Sequence, residues 1–173
     1  MRLLVAFLCA LAIAPAAGAF KIAGEPWPGP TVRVWNTTAY PVAVRDAIRA
    51  WNGAGARIRL VQAPSQDEAD VLIRYGSVRD QGESTLGYTP DESTVQLARG
   101  LGRIVATTIA AHELGHVLGL GHETGRCTVM APVVDAGPAS RCGIAACREL
   151  WRCLLKPDDV AGLRALYGRR APA

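Results

Sequence analysis

Alternating apolar and polar residues predict two strands around one helix in the first part of the chain. Residues 31–37 and 57–61 alternate with period two, as half-buried strands do. Between them, residues 41–53 begin with proline, which suits the first position of a helix, and end in glycine. The apolar side chains of this segment recur four and three positions apart and therefore share one helical face: Val44, Ile48 and Trp51.

The following segments extend this pattern into a larger sheet. Residues 69–75 form a more continuous apolar run, which predicts a more buried strand. Two short segments, 85–89 and 94–97, predict an edge strand and its neighbour, and a long helix is predicted from near Arg103 to Leu118. The order strand, helix, strand, strand indicates an α/β fold, with a twisted mixed sheet of about five strands and two long helices.

The composition bounds the class of protein. A chain of 173 residues, half of them apolar, is long enough for one domain with a sizeable core. Its net charge of +4 comes from scattered arginines, whereas a nucleic-acid site favours clustered basic residues with aromatics. Residues 20–30 are rich in glycine and proline and predict an extended lead-in. We expect no nucleic-acid partner.

The first 19 residues read as a signal peptide. Arg2 precedes an apolar run over residues 3–14, and the small residues 17–19 form a cleavage site before Phe20. The run is shorter than the about 20 residues that a membrane span needs, although a retained anchor is the alternative. We therefore expect a secreted protein, extracellular or periplasmic, cleaved between Ala19 and Phe20 and without stable membrane insertion.

The cysteines support export. Cys9 leaves with the signal peptide, and an even number in an exported chain indicates two disulfides. Four cysteines allow three pairings, and a nested arrangement, with the inner two paired, is one expectation. A second metal site is disfavoured because no C-x-x-C pair or further histidine accompanies them. The four cysteines are Cys127, Cys142, Cys147 and Cys153.

All three histidines of the chain lie in one segment, HELGHVLGLGH at residues 112–122. His112 and His116 are four apart and share a face if this segment is helical. Gly119 can end the helix, so that the chain turns and brings His122 back to the same point. Three neutral imidazoles with one open position are the ligand set of a catalytic zinc.

Glu113 is the candidate general base of this motif. It follows His112 on the predicted helix and can contact a zinc-bound water. As general base it would take the water's proton while the oxygen attacks a peptide carbonyl, and would then pass the proton to the leaving amine. A structural zinc would not need Glu113 and would be closed by a fourth protein ligand, which the cysteines could supply only if they were not paired.

The segment resembles the zinc site of the metzincin metallopeptidases, and most of all that of the matrixin-like group. Two further segments carry the resemblance. Residues 128–132 (TVMAP) resemble the methionine turn, with Met130 eight residues after His122, and residues 157–168 resemble the closing helix. The resemblance is specific from about residue 104 onward and weaker over residues 31–168. An ordinary core methionine is the alternative for Met130.

The resemblance implies a zincin-like α+β fold, with one zinc in a cleft under an edge strand. A single catalytic domain would span residues 20–173, with the sheet and active-site helix in 31–122 and a small disulfide-bonded, helix-terminated subdomain in 123–173. Met130, followed by Pro132, would form a floor beneath the ligands. The edge strand would pair with an extended substrate, unless it is an ordinary solvent-facing strand; its residues would be Thr85, Leu86, Gly87 and Tyr88.

The chain also departs from the matrixin pattern. We expect no pro-domain with a cysteine switch and, because no further histidines are available, no second, structural zinc. The segment between Met130 and Pro157 is longer than usual and is expected to reshape the specificity pocket. Calcium is a further candidate cofactor, although a solvated acidic loop is the commoner use of such residues; the candidate ligands are Asp80, Glu83, Asp91 and Glu92.

These observations favour a secreted zinc endopeptidase, expected to be a monomer, that acts on proteins or peptides and has a proteinaceous inhibitor as a candidate partner. Two other functions stay open. One is a binding module of the same fold that has lost catalysis, although the glutamate and all three ligands are intact. The other is a hydrolase of small peptides or amides, for which a closed pocket, and not an open edge strand, would be expected.

Overall fold

Five strands form one mixed sheet in the computed structural model, which describes residues 20–77, 81–123, 127–132 and 144–171. Two further short strands, β1 (Lys21–Ile22) and β7 (Leu120–Gly121), pair antiparallel outside this sheet. The sheet order is β3-β2-β4-β6-β5, and only β5 runs antiparallel. The predicted mixed sheet is confirmed; its strands are β2 (Thr31–Asn36), β3 (Arg59–Gln62), β4 (Val71–Tyr75), β5 (Gly82–Ser84) and β6 (Ser93–Leu97).

Two long helices pack together beside the sheet, as predicted. Helix α1 covers Pro41–Gly53 and helix α2 covers Arg103–Val117. Trp51 of α1 is 1% exposed, and its indole nitrogen donates a 2.8 Å hydrogen bond to the carbonyl of Ala111 in α2. That bond satisfies the polar end of a large apolar side chain and fixes the two helices at this point. Every described residue of α2 from Ala106 to Gly115 is buried, so the helix lies inside the protein.

The edge strand lies earlier in the chain than predicted. We expected it at Thr85 to Tyr88, but β5 ends at Ser84 and the ladder continues only to a bond from Thr85 N–H to the Thr94 carbonyl. Gly87 then takes a positive φ of 69°, which turns the chain out of the sheet. Its N–H donates to the carbonyl of His116 at 2.8 Å instead of to a strand.

The C-terminal part is a small disulfide-bonded unit that ends in a helix, as predicted. A 3₁₀ turn (Ile144–Ala146) leads to the short helix α3 (Leu150–Cys153), and helix α4 (Pro157–Tyr167) follows. Cys147 pairs with Cys153, so the nested arrangement is wrong. The chain folds back through α3, so that these two Cα atoms, six positions apart in the sequence, lie 6.3 Å from each other. Cys127 is also disulfide-bonded, and Cys142 lies outside the described residues.

The lead-in of residues 20–30 is hydrogen-bonded to the chain at the end of α2. Lys21 of β1 lies opposite Gly121 of β7. Further along, the indole nitrogen of Trp27 donates a 2.8 Å bond to the carbonyl of Val117. The hydroxyl of Tyr167, in α4, donates to the carbonyl of Leu118 at 2.9 Å and accepts a bond from the backbone N–H of Trp27 at 3.2 Å. Among the described residues, no helix has the length and apolar character to cross a bilayer.

Candidate metal centre

The three histidines meet at one point. Their Nε2 atoms are 3.0 Å apart for His112 and His116, 3.1 Å for His116 and His122, and 3.2 Å for His112 and His122. An ion bound tetrahedrally at roughly 2.0–2.1 Å would separate its nitrogen ligands by about 3.3–3.4 Å. The observed triangle is within a few tenths of an ångström of that size, so these residues fit a zinc ion. Gly119 permits the turn with a φ of 93°.

Hydrogen bonds orient two of the imidazoles. Nδ1 of His112 lies 2.7 Å from the Val129 carbonyl, and Nδ1 of His116 lies 2.8 Å from the Leu120 carbonyl. A carbonyl only accepts, so each Nδ1 carries the proton and donates it. The proton-free nitrogen of both rings is therefore Nε2, the atom that points to the meeting point.

Burial keeps the same two rings neutral. It lowers the pKa of His112 to about 4 and also lowers the pKa of His116, because an imidazolium loses its hydration inside the protein. His122 is exposed, so the site is open on its side. His112 and His116 can therefore bind a metal without first losing protons at neutral pH.

Glu113 lies beside the histidines and is 4% exposed. Burial raises the pKa of Glu113 to about 7, against the opposing effect of the hydrogen bond from Ser84. The Ser84 hydroxyl donates to Oε2 of Glu113 at 2.7 Å. Nothing in the sequence pattern singles out Ser84, because it is 29 positions away from Glu113 and becomes its neighbour only through the sheet.

The turn around Met130 lies against the helix that carries the ligands. Met130 is 2% exposed, and a Cβ added at Gly115 would collide with its sulfur. The Met130 carbonyl accepts a 2.9 Å bond from the N–H of Glu123. Pro132 is exposed at the end of the turn. The floor beneath the ligands stays a prediction.

Asp159 holds this turn in place and was not recognised from the sequence. Its carboxylate is 1% exposed and accepts bonds from the N–H groups of Lys156 at 2.7 Å, Val129 at 3.2 Å and Met130 at 3.3 Å. Burial raises the pKa of Asp159, although these three bonds oppose the shift. The adjacent aspartates after Pro157 signal a helix N-terminus, but not a contact with residues 30 positions earlier.

Two of the predicted substrate residues have exposed side chains, and two have backbone N–H groups that are bonded within the chain. Leu86 is 43% exposed and Tyr88 is 37% exposed. The N–H of Tyr88 donates to the Glu25 carbonyl at 2.8 Å, so with Gly87 it is already used within the chain. The calcium candidates Glu83, Asp91 and Glu92 form no ligand group in the described part of the chain, and Asp80 lies outside it.

The mixed sheet, the buried helix and the three-histidine centre together agree with a zincin-like fold. A family profile for matrixins matches residues 103–168. Matrix metalloproteinase-19 of Mus musculus is 47% identical over 64 residues, which are 37% of this chain and 10% of that protein. Human matrix metalloproteinase-20 is 30% identical over 146 residues, which are 74% of this chain and 28% of that protein.

Stromelysin-1 of Equus caballus is 36% identical over 127 residues, which cover 60% of this chain and 23% of that protein. The chain therefore spans less than a third of the length of each of these relatives. The histidine set lies inside the matched segment, and over residues 103–168 the chain is matrixin-like. The family and the donor set support one catalytic zinc.

Proposed function

We propose that this protein is a zinc-dependent endopeptidase that hydrolyses peptide bonds in proteins or peptides. The observation that carries the proposal is the convergence of His112, His116 and His122 beside the buried carboxylate of Glu113. A structural zinc site is usually closed by four protein ligands, whereas the described part of this chain supplies three, of which His122 is exposed. Such a centre leaves a position for a reacting molecule.

Each residue of the centre has a role in this proposal. The three Nε2 atoms would hold zinc, which when bound would supply a Lewis acid that polarises a carbonyl and increases the acidity of water. The carboxylate of Glu113 takes a proton from the attacking water and passes it to the nitrogen of the leaving amine. The carbonyls of Val129 and Leu120 keep His112 and His116 in the tautomer that presents Nε2.

The substrate is proposed to bind as an added strand along β5. In an antiparallel ladder, the backbone groups of alternate residues face the neighbouring strand. Thr85 donates to Thr94 of β6, so the N–H and C=O of Gly82 and Ser84 face the opposite side. Leu86 continues this outward series and is exposed. Because backbone bonds hold the peptide, this mode demands little of its sequence.

Export and a single domain complete the proposal. Residues 1–19 act as the signal peptide, and residues 20–173 form one catalytic domain. The disulfide between Cys147 and Cys153 supports an oxidising compartment. N-terminal sequencing of the secreted protein should return Phe20 as its first residue, and a product that retains Met1 would contradict the cleavage.

The activity is tested on the secreted protein with casein as substrate. We expect one zinc per chain and cleavage that stops with a chelator and returns with added zinc. Glu113→Ala should retain zinc and lose turnover, His116→Ala should lose both, and Glu68→Ala, which removes an exposed carboxylate, should behave as wild type. Zinc binding without cleavage of casein, gelatin or a peptide library would refute the endopeptidase.

A further inference from the structure

Two residues of the edge strand face the carboxylate of Glu113. Gly82 and Ser84 are two positions apart in β5 and therefore point to the same side of the sheet. Ser84 Oγ is 2.7 Å from Oε2 of Glu113 and 3.2 Å from its backbone carbonyl. A Cβ added at Gly82 would lie 2.6 Å from Oε1 of Glu113 and 2.5 Å from Cγ2 of Ile109. Only glycine leaves this side of the carboxylate clear.

The Ser84 hydroxyl has one proton, and two oxygens of Glu113 compete for it. The carboxylate oxygen is nearer by half an ångström and carries charge, so it is the stronger acceptor. Glu113 is almost fully buried, and a hydrogen bond in such surroundings is stronger than one in water. The bond therefore restricts a side chain that would otherwise sample several rotamers.

Given the proposed peptidase activity, on which this inference rests, we propose that Ser84 is a positioning residue for the general base. Its hydroxyl anchors Oε2 of Glu113, and Oε1 is left as the atom that takes and returns the proton. Gly82 keeps the space beside Oε1 free. The edge strand thus has two functions, because its backbone pairs with the substrate while its inward face sets the geometry of the base.

A kinetic comparison separates this role from a contribution to folding or to substrate binding. Ser84→Ala should lower kcat by about ten- to a hundredfold and change KM by less than about twofold, because a displaced base loses alignment only at the chemical step. Ser84→Thr, which keeps the hydroxyl, should recover most of the rate. Both variants should contain one zinc per chain. An unchanged kcat, or a loss confined to KM, would overturn the assignment.

Thr108→Val is the matched control. It removes a hydroxyl from α2 that donates only to the carbonyl of Ile104, one turn earlier, and it keeps the shape of the side chain. It should leave kcat and KM near the wild-type values. A loss in Thr108→Val equal to that in Ser84→Ala would show that the rate follows general damage to the helix, and the proposal would then be wrong.

A second measurement does not depend on turnover. Ser84→Ala, Glu113→Ala and the double variant are melted in the presence of a chelator, as a double-mutant cycle. Ser84→Ala should lower Tm when Glu113 is present and have little effect in the Glu113→Ala background. Additive changes would refute the anchoring bond. If the wild type cleaves no substrate but the changes in Tm are non-additive, the peptidase proposal is wrong and the hydrogen bond between Ser84 and Glu113 is still supported.

Discussion

The substitution Asp159→Asn tests how firmly helix α4 holds the turn around Met130. The carboxylate now accepts three backbone N–H bonds inside the protein. An amide has one accepting oxygen, so if it keeps the two bonds of Oδ2, its NH₂ group faces the N–H of Met130. A lost bond to a charged acceptor and an unpaired buried donor each cost about 1–3 kcal/mol.

Removing the buried charge returns part of that loss, so we expect a net cost of about 1–2 kcal/mol. For a chain of this size, that cost corresponds to a Tm lowered by about 3–6 °C. The assay is thermal unfolding followed by circular dichroism at pH 7, with zinc and with a chelator. Asp158→Asn is the control. It removes one carboxylate from the same turn of helix α4 and keeps the Asp159 bonds to Val129 and Met130. Equal melting of the two variants would refute the reasoning.

Three further predictions concern the centre and its support. Burial lowers the pKa of His112, so the stability that its neutral ring contributes is full above the unfolded pKa near 6.5 and is lost as pH falls toward about 4. In metal-free protein, the Tm advantage of wild type over His112→Asn should therefore shrink between pH 7 and pH 4.5, and a constant difference would contradict the shift. Gly115→Ala should cost about 1–3 kcal/mol in urea unfolding, because the new methyl group would meet Met130 and would lie 2.8 Å from Cζ2 of Trp51. Gly29→Ala, outside the helices and with nothing within 4 Å, should be nearly neutral, and equal losses at both positions would disprove the packing argument. A metal that binds only the folded state stabilises it, so a chelator should lower the Tm of wild type, and added zinc should restore it. The same chelator should leave the Tm of His122→Ala almost unchanged. A chelator effect of wild-type size in that variant would show that His122 does not contribute to the metal site.

Local patterns were sufficient for much of the fold. Helix α2 runs from Arg103 to Val117, within one residue of the predicted end at Leu118, because Gly119 allows the chain to turn there. The meeting of the histidines also follows from local geometry, since His112 and His116 need only one helical turn and His122 needs one reversal of the chain. These features depend on residues close together in sequence.

Features that depend on distant residues could not be predicted in this way. The edge strand was placed too late because the backbone partner of Gly87 is His116, and no alternation of apolar residues reports that contact. Ser84 and Asp159 are ordinary polar residues in the sequence, and each acquires its importance from a partner about 30 positions away. The disulfide pairing similarly followed from a short turn that spacing alone does not specify.

The pairing of β1 with β7 has a consequence for the order of folding. Lys21 and Gly121, which lie opposite each other, are separated by 100 residues (121 minus 21). During synthesis, β1 is made before the sheet, α1 and α2, but its partner strand emerges only after all of them. Contacts between residues so far apart carry a large loop-closure cost and form slowly. Strand β1, which is made before the rest of the described elements, is therefore expected to become fixed last, after the histidine centre has formed.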